Sequence, residues 1–274
     1  MIGFLKRLLL RWAHSNDTET IRINNRPFVL VKGTYNDDYD NAWFYFLAKR
    51  STYLLDIGSN LGLHTILGFG AGSLKHSVLV DANTDALSKA AFNTIENKLA
   101  HHSNFYKGFV SDKDDDEVTF WTVGAGAAGS MYASHAKTAK QHGSSMQVNT
   151  ITVDTIVSLF NSKPDLIKVD VEGAESKVLQ GARETTRKYK PDFLVEMHSM
   201  AELSMEQNTT LILNWCKEND YNAFYLKEHT LLTDPSLIKH RGRCHVLLMT
   251  IDKVYPEELK LLKQSDKLTE IEKD

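Results

Sequence analysis

The stretch LLDIGSNLGLHT, residues 54–65, decides the fold of this chain. An apolar run with strand character ends in Asp56, and a turn containing Gly58 and Gly62 follows before an apolar segment resumes. Glycine has no Cβ, so the backbone at these two positions can turn sharply and approach a ligand closely. The stretch is typical of a strand, a nucleotide-binding loop and a helix, although an ordinary strand–turn–helix connection has the same pattern.

The spacing of this turn indicates which cofactor it binds. A dinucleotide-binding loop has the pattern G-x-G-x-x-G, whereas this turn has D-x-G-x-N-x-G, with Asn60 where a second glycine would admit a pyrophosphate. A cofactor without a pyrophosphate fits better, and S-adenosylmethionine (SAM) is the obvious candidate. Asp81 ends the next apolar run, where nucleotide-binding α/β folds place the acidic residue that binds the ribose hydroxyls.

Length and composition are those of an ordinary soluble globular protein. The chain has 274 residues, 42% of them hydrophobic and 24% charged, and a net charge of −3, which is not the basic character of a nucleic-acid-binding protein. Two cysteines, Cys216 and Cys244, are too few and too far apart for a disulfide framework, which favours a reducing, cytoplasmic location. Residues 1–12 have the pattern of a short basic amphipathic helix, which either packs on protein or touches a membrane surface.

Strand-like and helix-like segments alternate from residue 52 onward, which predicts βαβ units and a mostly parallel sheet. We expect three parts: an N-terminal helix and β/α lead-in over 1–50, a main domain over 51–252, and a helical tail over 253–274. The stretch 123–147, with two glycine clusters, His135 and His142, is predicted to be a long binding loop. Strands are predicted at 52–57, 77–81, 103–109, 117–122, 165–170, 192–197, 222–226 and 244–251, and helices at 62–71, 84–98, 152–161, 175–189 and 203–219.

Acidic residues also follow two later strand-like runs. The block IKVDVEGAE carries Asp170, Glu172 and Glu175, and carboxylates this crowded are costly unless they meet a cation, a hydroxyl or water. The block LVEMH carries Glu196 and His198, alternate residues that point to the same side of a strand. Open α/β folds bind ligands at the carboxyl edge of the sheet, so these strand ends are candidate site regions.

Taken together, LLDIGSNLG, the acidic end of the second strand, VSDKDDDEV, IKVDVEGAE and LVEMH resemble the FkbM family of SAM-dependent methyltransferases over roughly residues 50–250. The resemblance implies an α/β fold with a Rossmann-like seven-stranded class I methyltransferase sheet, strand order 3-2-1-4-5-7-6, and helices on both faces. It also implies O-methyl transfer, often to sugars or natural products.

The resemblance also assigns roles to residues that bind the cofactor. Asp56, Gly58, Asn60 and Gly62 would line the methionine and ribose part of SAM. Asp81 would bind the ribose hydroxyls and Asp112 the adenine amino group. One departure is Asp81-Ala82, where the family usually has Glu-Pro, which gives a shorter acceptor on a less rigid turn.

Methyl transfer to an alcohol needs alignment of the acceptor and removal of its proton. His198, with an ordinary pKa of about 6.5, is the first candidate for the base. Glu196, Asp170 and Glu172 are possible orienters or alternative bases. These four residues could instead form an oxygen-rich metal site, but we expect no metal and a hydrogen-bonded polar cluster.

The leading hypothesis is a SAM-dependent O-methyltransferase acting on a hydroxyl of a sugar, glycan or natural-product small molecule. The alternatives are a non-catalytic docking module with the SAM-type fold and an NAD-dependent oxidoreductase. We expect a small-molecule or glycan acceptor and no nucleic acid as partners. Oligomeric state does not follow from the sequence.

Overall fold

The structure, a computed structural model, describes residues 17–36, 40–123, 129–132, 136–266 and 268. The helix predicted over residues 1–12, with its membrane contact, and His135 lie outside the described residues. Among the residues that are described, no helix combines the length and apolar character that a membrane crossing requires.

Strands and helices alternate through most of the described chain. The strands are β1 Thr18–Ile23, β2 Arg26–Val31, β3 Tyr53–Ile57, β4 His76–Asp81, β5 Ser103–Lys107, β6 Phe109–Val110, β7 Glu117–Trp121, β8 Ser145–Ile151, β9 Leu166–Val169, β10 Asp192–His198, β11 Tyr221–Tyr225, β12 Thr230–Leu231 and β13 Arg243–Thr250. The α-helices are α1 Asn41–Ala48, α2 Leu63–Ala71, α3 Thr84–Glu96, α4 Lys137–Gln141, α5 Val153–Leu159, α6 Glu175–Gln180, α7 Arg183–Tyr189 and α8 Met205–Glu218. Short 3₁₀ helices occupy Ala100–His102, Pro235–Leu237 and Glu257–Leu261.

The central sheet has eight strands in the order β12-β11-β13-β10-β9-β3-β4-β5. Strands β3, β4, β5, β9 and β10 are parallel, and β13 runs antiparallel to both β10 and β11. The two-residue β12 is left out of the comparison. When the other seven strands of this sheet are renumbered from 1 in chain order, so that β3 is strand 1, their order across the sheet is 3-2-1-4-5-7-6. The strand order implied by the resemblance is therefore confirmed.

Helices cover both faces of this sheet because the strands are apolar on both sides. Leu55 of β3 belongs to a core cluster that α5, α6 and α8 help to build, whereas the adjacent Leu54 belongs to a second cluster with α1 and α2. The hairpin β1–β2 joins the second cluster through Ile23, Phe28 and Leu30. The polar residues of the candidate site interrupt the second face near the carboxyl ends of the strands.

The hairpin in the lead-in is confirmed, with Asn24 and Asn25 at positive φ (49° and 59°) in its turn. The helix predicted over 175–189 is two helices, α6 and α7, separated at Gly181. A Cβ at Gly181 would collide with the carbonyl of Ser111, and the Gly181 carbonyl accepts a hydrogen bond from the Asp154 N–H. The chain therefore breaks the helix to pack against its neighbours.

The loop predicted over 123–147 contains more regular structure than expected. Helix α4 and the start of β8 fall inside it, while residues 124–128 and 133–135 lie outside the description. Strand β8 pairs with β6 and β7 in a separate three-stranded sheet. Strand β7, predicted as 117–122, therefore belongs to this small sheet rather than to the central one. The strand predicted over 103–109 is divided at Gly108 into β5, in the central sheet, and the start of β6, in the small sheet.

Candidate active site

The turn after β3 folds over the end of β4. The backbone N–H groups of Gly58 and Ser59 both donate to the carbonyl of Val80, at 2.9 and 3.0 Å, and the Asn60 N–H donates to Oδ2 of Asp81 at 2.7 Å. Asn60 itself has a positive φ of 46°. Asp81, at the end of β4, thus holds the glycine turn that follows β3 in place.

The two glycines of this turn are required by protein contacts, which differs from the reason that the sequence suggested. Gly58 (φ 71°) lies so close to the backbone carbonyl of Asp170 that a Cβ would collide with it. Gly62 (φ 77°) packs against Ala90 of α3. Gly58 also lines the two cavities described below, but Gly62 lines neither.

A first cavity of about 590 Å³, here called the glycine-loop cavity, opens at the carboxyl ends of β3 and β4. Its lining combines apolar side chains with Asp81 and residues of the glycine turn. Its lining includes Ile57, Gly58, Asn60, Val80, Asp81, Ala82, Asn83, Ala86, Gly108, Phe109, Val110, Phe120, Thr122, Gly129, Asp170, Val171 and Glu172.

Asp81 is fixed in this cavity by two backbone donors. Besides the Asn60 N–H, the Asn83 N–H donates to Oδ1 at 2.7 Å. Burial raises the pKa of Asp81, and the two backbone hydrogen bonds only partly oppose that rise. Each carboxylate oxygen can accept a second hydrogen bond, so the group remains a competent acceptor for a ligand hydroxyl.

Two other predicted cofactor residues do not line this cavity. Asp56 is completely buried, and its Oδ2 accepts a hydrogen bond from the Thr65 hydroxyl at 2.8 Å. The carboxylate of Asp112 accepts from the Ser111 hydroxyl at 2.9 Å and lies 3.7 Å from Nζ of Lys177. Asp56 therefore helps to anchor helix α2, and Asp112 pairs with Lys177. Their predicted contacts with the cofactor stay predictions, because neither side chain lines the glycine-loop cavity.

A second cavity of about 750 Å³, here called the acidic cavity, meets the first. Gly58, Asn60, Asp170 and Glu172 line both cavities and form their common wall. Most of the other lining side chains are polar: Thr34, Asn36, Asp40, Asn41, Ser59, His64, Lys168, Glu196 and Arg243. Two ligands can therefore lie end to end with Asp170 between them.

Asp170 is paired with a buried lysine. Nζ of Lys168 lies 3.1 Å from Oδ2 of Asp170 and donates to the Gly58 carbonyl at 3.3 Å. Burial, reinforced by the nearby Glu196, raises the pKa of Asp170 to about 6, with Lys168 opposing. The same carboxylates hold the pKa of Lys168 above its ordinary value despite burial. Lys168 is thus a fixed cation, and Asp170 can exchange a proton near neutral pH.

His198 has carboxylates at both ring nitrogens. Nδ1 lies 3.0 Å from Oε1 of Glu175, and Nε2 lies 3.2 Å from Oε2 of Glu172 and 3.5 Å from Oε1 of Glu196. Burial alone would lower the pKa of His198, but its hydrogen bonds to Glu175 and Glu196 outweigh burial and hold the pKa well above its ordinary value. An imidazolium cannot accept a proton, so this raised pKa favours another residue as the base, and a catalytic role for His198 stays a prediction.

Glu175 explains why His198 is held in this way. Its side chain is fully buried at the start of α6, where Oε1 accepts from the Gly173 N–H and Oε2 accepts from Nδ2 of Asn208. The first-turn position was predicted, but the pairing with His198 was not. Glu175 and His198 form a buried pair behind the cavity wall.

Asp40 and His245 complete the acidic region, and the sequence did not suggest either. Asp40 precedes α1, but its carboxylate does not cap that helix. Its Oδ2 lies 3.3 Å from Nε2 of His64 and 3.4 Å from Nε2 of His245. Burial would raise the pKa of Asp40, but the two histidines hold it well below its usual range. Burial would lower the pKa of His245, but Asp40 and Glu196 raise it to about 9.

Two groups of three side chains bring their donor atoms within 4.8 Å of one another, as a metal site requires: Asp170, Glu196 and His198, and Asp40, Glu196 and His245. The first contains three of the four residues that the sequence suggested as an alternative metal site. The sequence does contain a signal for the second group: His245 is a polar residue within the apolar part of strand β13, between Cys244 and Val246.

The strand order 3-2-1-4-5-7-6, with cavities at the carboxyl edge of the sheet, defines the class I methyltransferase fold. The sequence profile described as "Methyltransferase FkbM domain" matches residues 56–223, so the chain belongs to the FkbM methyltransferase domain family. A search of curated protein sequences finds no match.

Several solved structures have a similar fold at low sequence identity. A methyltransferase FkbM from Methylobacillus flagellatus is 17% identical with a TM-score of 0.47, over 73% of this chain and 43% of that one. A SAM-dependent methyltransferase from Streptococcus mutans is 10% identical with a TM-score of 0.49, over 85% and 56% of the two chains. The alignment thus spans less than half of the Methylobacillus protein.

Proposed function

We propose that this chain is a SAM-dependent O-methyltransferase acting on a hydroxyl of a sugar, glycan or other polyhydroxylated small molecule. The observation that carries the proposal is the common wall of the two cavities. A cofactor in the glycine-loop cavity and an acceptor in the acidic cavity meet at Asp170, the geometry that a direct transfer between two bound ligands requires.

The glycine-loop cavity suits an adenosine. The Asp81 carboxylate has lone pairs left for the ribose hydroxyls, and Val110 and Phe120 offer apolar surface to the adenine ring. The methionine end then lies toward the glycine turn and the common wall. SAM supplies the methyl group on a sulfonium, and the protein supplies alignment and proton removal.

The acidic cavity suits an uncharged or cationic polar acceptor. Asp40, Asp170, Glu172 and Glu196 face Lys168 and Arg243 there, so hydroxyl groups find both donors and acceptors. A large apolar acceptor would leave these charged groups without partners, which is costly. This polarity supports a sugar-like acceptor over an apolar one.

Asp170 is the best-placed base. It lines both cavities, and its pKa of about 6 is close to the pH at which a general base works best. Lys168 engages only Oδ2, which leaves Oδ1 to accept the proton of the acceptor hydroxyl. Glu172 and Glu196 then orient the acceptor, and His198 holds Glu172 and Glu196 in position.

Methyl-labelled SAM tests the proposal when it is incubated with the protein and a panel of sugars, lipid-linked sugars and polyketides. We expect label transfer to a polyhydroxylated acceptor and none in an Asp170→Asn variant. Binding of NAD in preference to SAM would favour an oxidoreductase. Binding of SAM without transfer to any acceptor of the panel would favour a docking module.

A further inference from the structure

Three side chains from separate elements meet at the floor of the acidic cavity. Asp40 comes from the start of α1, Glu196 from β10, and His245 from β13, where it is the register partner of Glu196. One donor atom of each lies within 4.8 Å of the others. We propose that Asp40, Glu196 and His245 bind a divalent transition-metal cation such as Zn²⁺ or Mn²⁺.

His245 is the first argument for an ion. Its side chain is only 3% exposed, and Nε2 lies 3.4 Å from Oδ2 of Asp40 and 3.4 Å from Oε2 of Glu196. Nevertheless, Nε2 makes no hydrogen bond of acceptable geometry. A buried polar atom without a hydrogen bond is rare and costly. An imidazole nitrogen between two carboxylate oxygens is a natural metal ligand, and the ion would displace the proton that these carboxylates favour on His245.

The separations of the donor atoms are the second argument. Zinc binds nitrogen and oxygen ligands at about 2.0–2.1 Å, and ligands at the corners of a tetrahedron of that size are about 3.3–3.4 Å apart. Both distances from Nε2 of His245 have this value. Donors of this spacing can close around a small cation without moving the backbone.

Charge is the third argument. Oε1 of Glu196 is occupied by Nη1 of Arg243 at 3.0 Å, which leaves Oε2 for an ion. Around the common wall, five carboxylates face three fixed cations: Asp40, Asp170, Glu172, Glu175 and Glu196 against Lys168, Arg243 and the imidazolium of His198. A divalent cation offsets two of these excess negative charges, and burial of unpaired carboxylates is otherwise expensive.

The neighbouring group of Asp170, Glu196 and His198 is a weaker site. Both ring nitrogens of His198 already face carboxylates, and Oδ2 of Asp170 is paired with Lys168. To bind an ion there, Oδ2 of Asp170 would have to leave Lys168 and Nε2 of His198 would have to leave Glu172. Both contacts of Nε2 of His245 are instead to the proposed co-ligands, Asp40 and Glu196. The ion is therefore assigned to Asp40, Glu196 and His245.

Asp40 and Glu196 also line the acidic cavity, so a fourth coordination position opens toward the acceptor. An acceptor hydroxyl bound there would lose its proton more easily, as metal-bound water does. This consequence rests on the proposed function. Metal binding itself does not, because it requires neither SAM nor an acceptor.

Titration of the chelator-treated, dialysed full chain with Co²⁺ tests the site. We expect one ion per chain and the strong visible absorption of tetrahedral Co²⁺. Asp40→Asn and His245→Gln should each weaken binding by at least about 10²-fold, since each removes a ligand. Asp170→Asn is the matched control from the neighbouring group and should bind Co²⁺ as the wild type does.

Wild-type protein without stoichiometric Co²⁺ binding would overturn the proposal, and so would wild-type affinity in Asp40→Asn or His245→Gln. Loss of binding in Asp170→Asn but not in these variants would place the ion at the other group and also overturn it. If His245→Gln does not fold, as judged by near-UV circular dichroism, the near-isosteric Asp40→Asn and the wild-type titration still decide. A failure of methyl transfer with normal Co²⁺ binding would count against the proposed function alone.

Discussion

Nδ1 of His198 lies 3.0 Å from Oε1 of Glu175, whose side chain is fully buried, so these residues form an ion pair inside the protein. Removing one partner of a buried pair leaves an uncompensated charge, which typically costs about 3–5 kcal/mol. We therefore expect His198→Ala to lower the free energy of unfolding by an amount of this order. Urea denaturation measures it, and an unchanged midpoint would contradict the pairing.

The same pair makes stability depend on pH. The folded pKa of His198 is raised above its unfolded value of about 6.5, so the folded protein binds the proton more tightly. Its contribution is complete below about pH 6.5 and is lost as pH rises through the folded pKa. Unfolding free energies measured across this range should decline more steeply in the wild type than in His198→Ala. Parallel curves would show that His198 is not held as an imidazolium.

Gly58 should be essential to the fold because of its contact with the Asp170 backbone. Gly58→Ala adds a Cβ that collides with the Asp170 carbonyl, and overpacking of this kind costs about 1–3 kcal/mol. The matched control is Gly72→Ala, which also has a positive φ but no atom within 4 Å of the added Cβ. Both variants place an alanine at a positive φ and so share that backbone strain. The difference between their losses of unfolding free energy, measured by urea denaturation, therefore gives the cost of the collision with the Asp170 carbonyl. Equal losses would contradict it.

Asp170 should control the reaction rather than cofactor binding. With an acceptor from the screen, we expect Asp170→Asn to lower kcat by a factor of about 10²–10⁴, the usual contribution of a general base, while SAM affinity stays near that of the wild type. The wild-type rate should rise with pH through about 6 as Asp170 loses its proton. Asp112→Asn, outside the cavities, is the control. A normal rate in Asp170→Asn would show that the base is elsewhere.

The fold could be predicted largely from the sequence because each strand of the central sheet is a short apolar run that ends in a polar or glycine-rich turn. β8 was missed because its sequence, SMQVNTI, buries only alternate positions near its end and has no continuous apolar run. The break at Gly181 was missed because it results from contact with Ser111, which is distant along the chain.

The sequence predicted which strand ends form the site, but it did not predict which side chains pair with one another there. The carboxylates after β9 and β10 do meet, and Glu196 and His198 do lie on one side of their strand, as alternation requires. The sequence pattern favoured His198 as the base because it does not show that His198 pairs with the fully buried Glu175 at the start of α6, where the helix dipole also favours a carboxylate. Which residue is the base stays a prediction. Asp40 comes from the lead-in, so only folding brings it to His245.

The central claim is that the glycine-loop cavity binds SAM through Asp81, and calorimetric titration with SAM tests it most directly. We predict that the wild type binds SAM in preference to NAD. Asp81→Ala should lose about 1.5–3 kcal/mol of binding free energy, the value of a hydrogen bond to a charged group, while Asp112→Ala retains wild-type affinity. Unchanged SAM affinity in a folded Asp81→Ala variant would contradict the account.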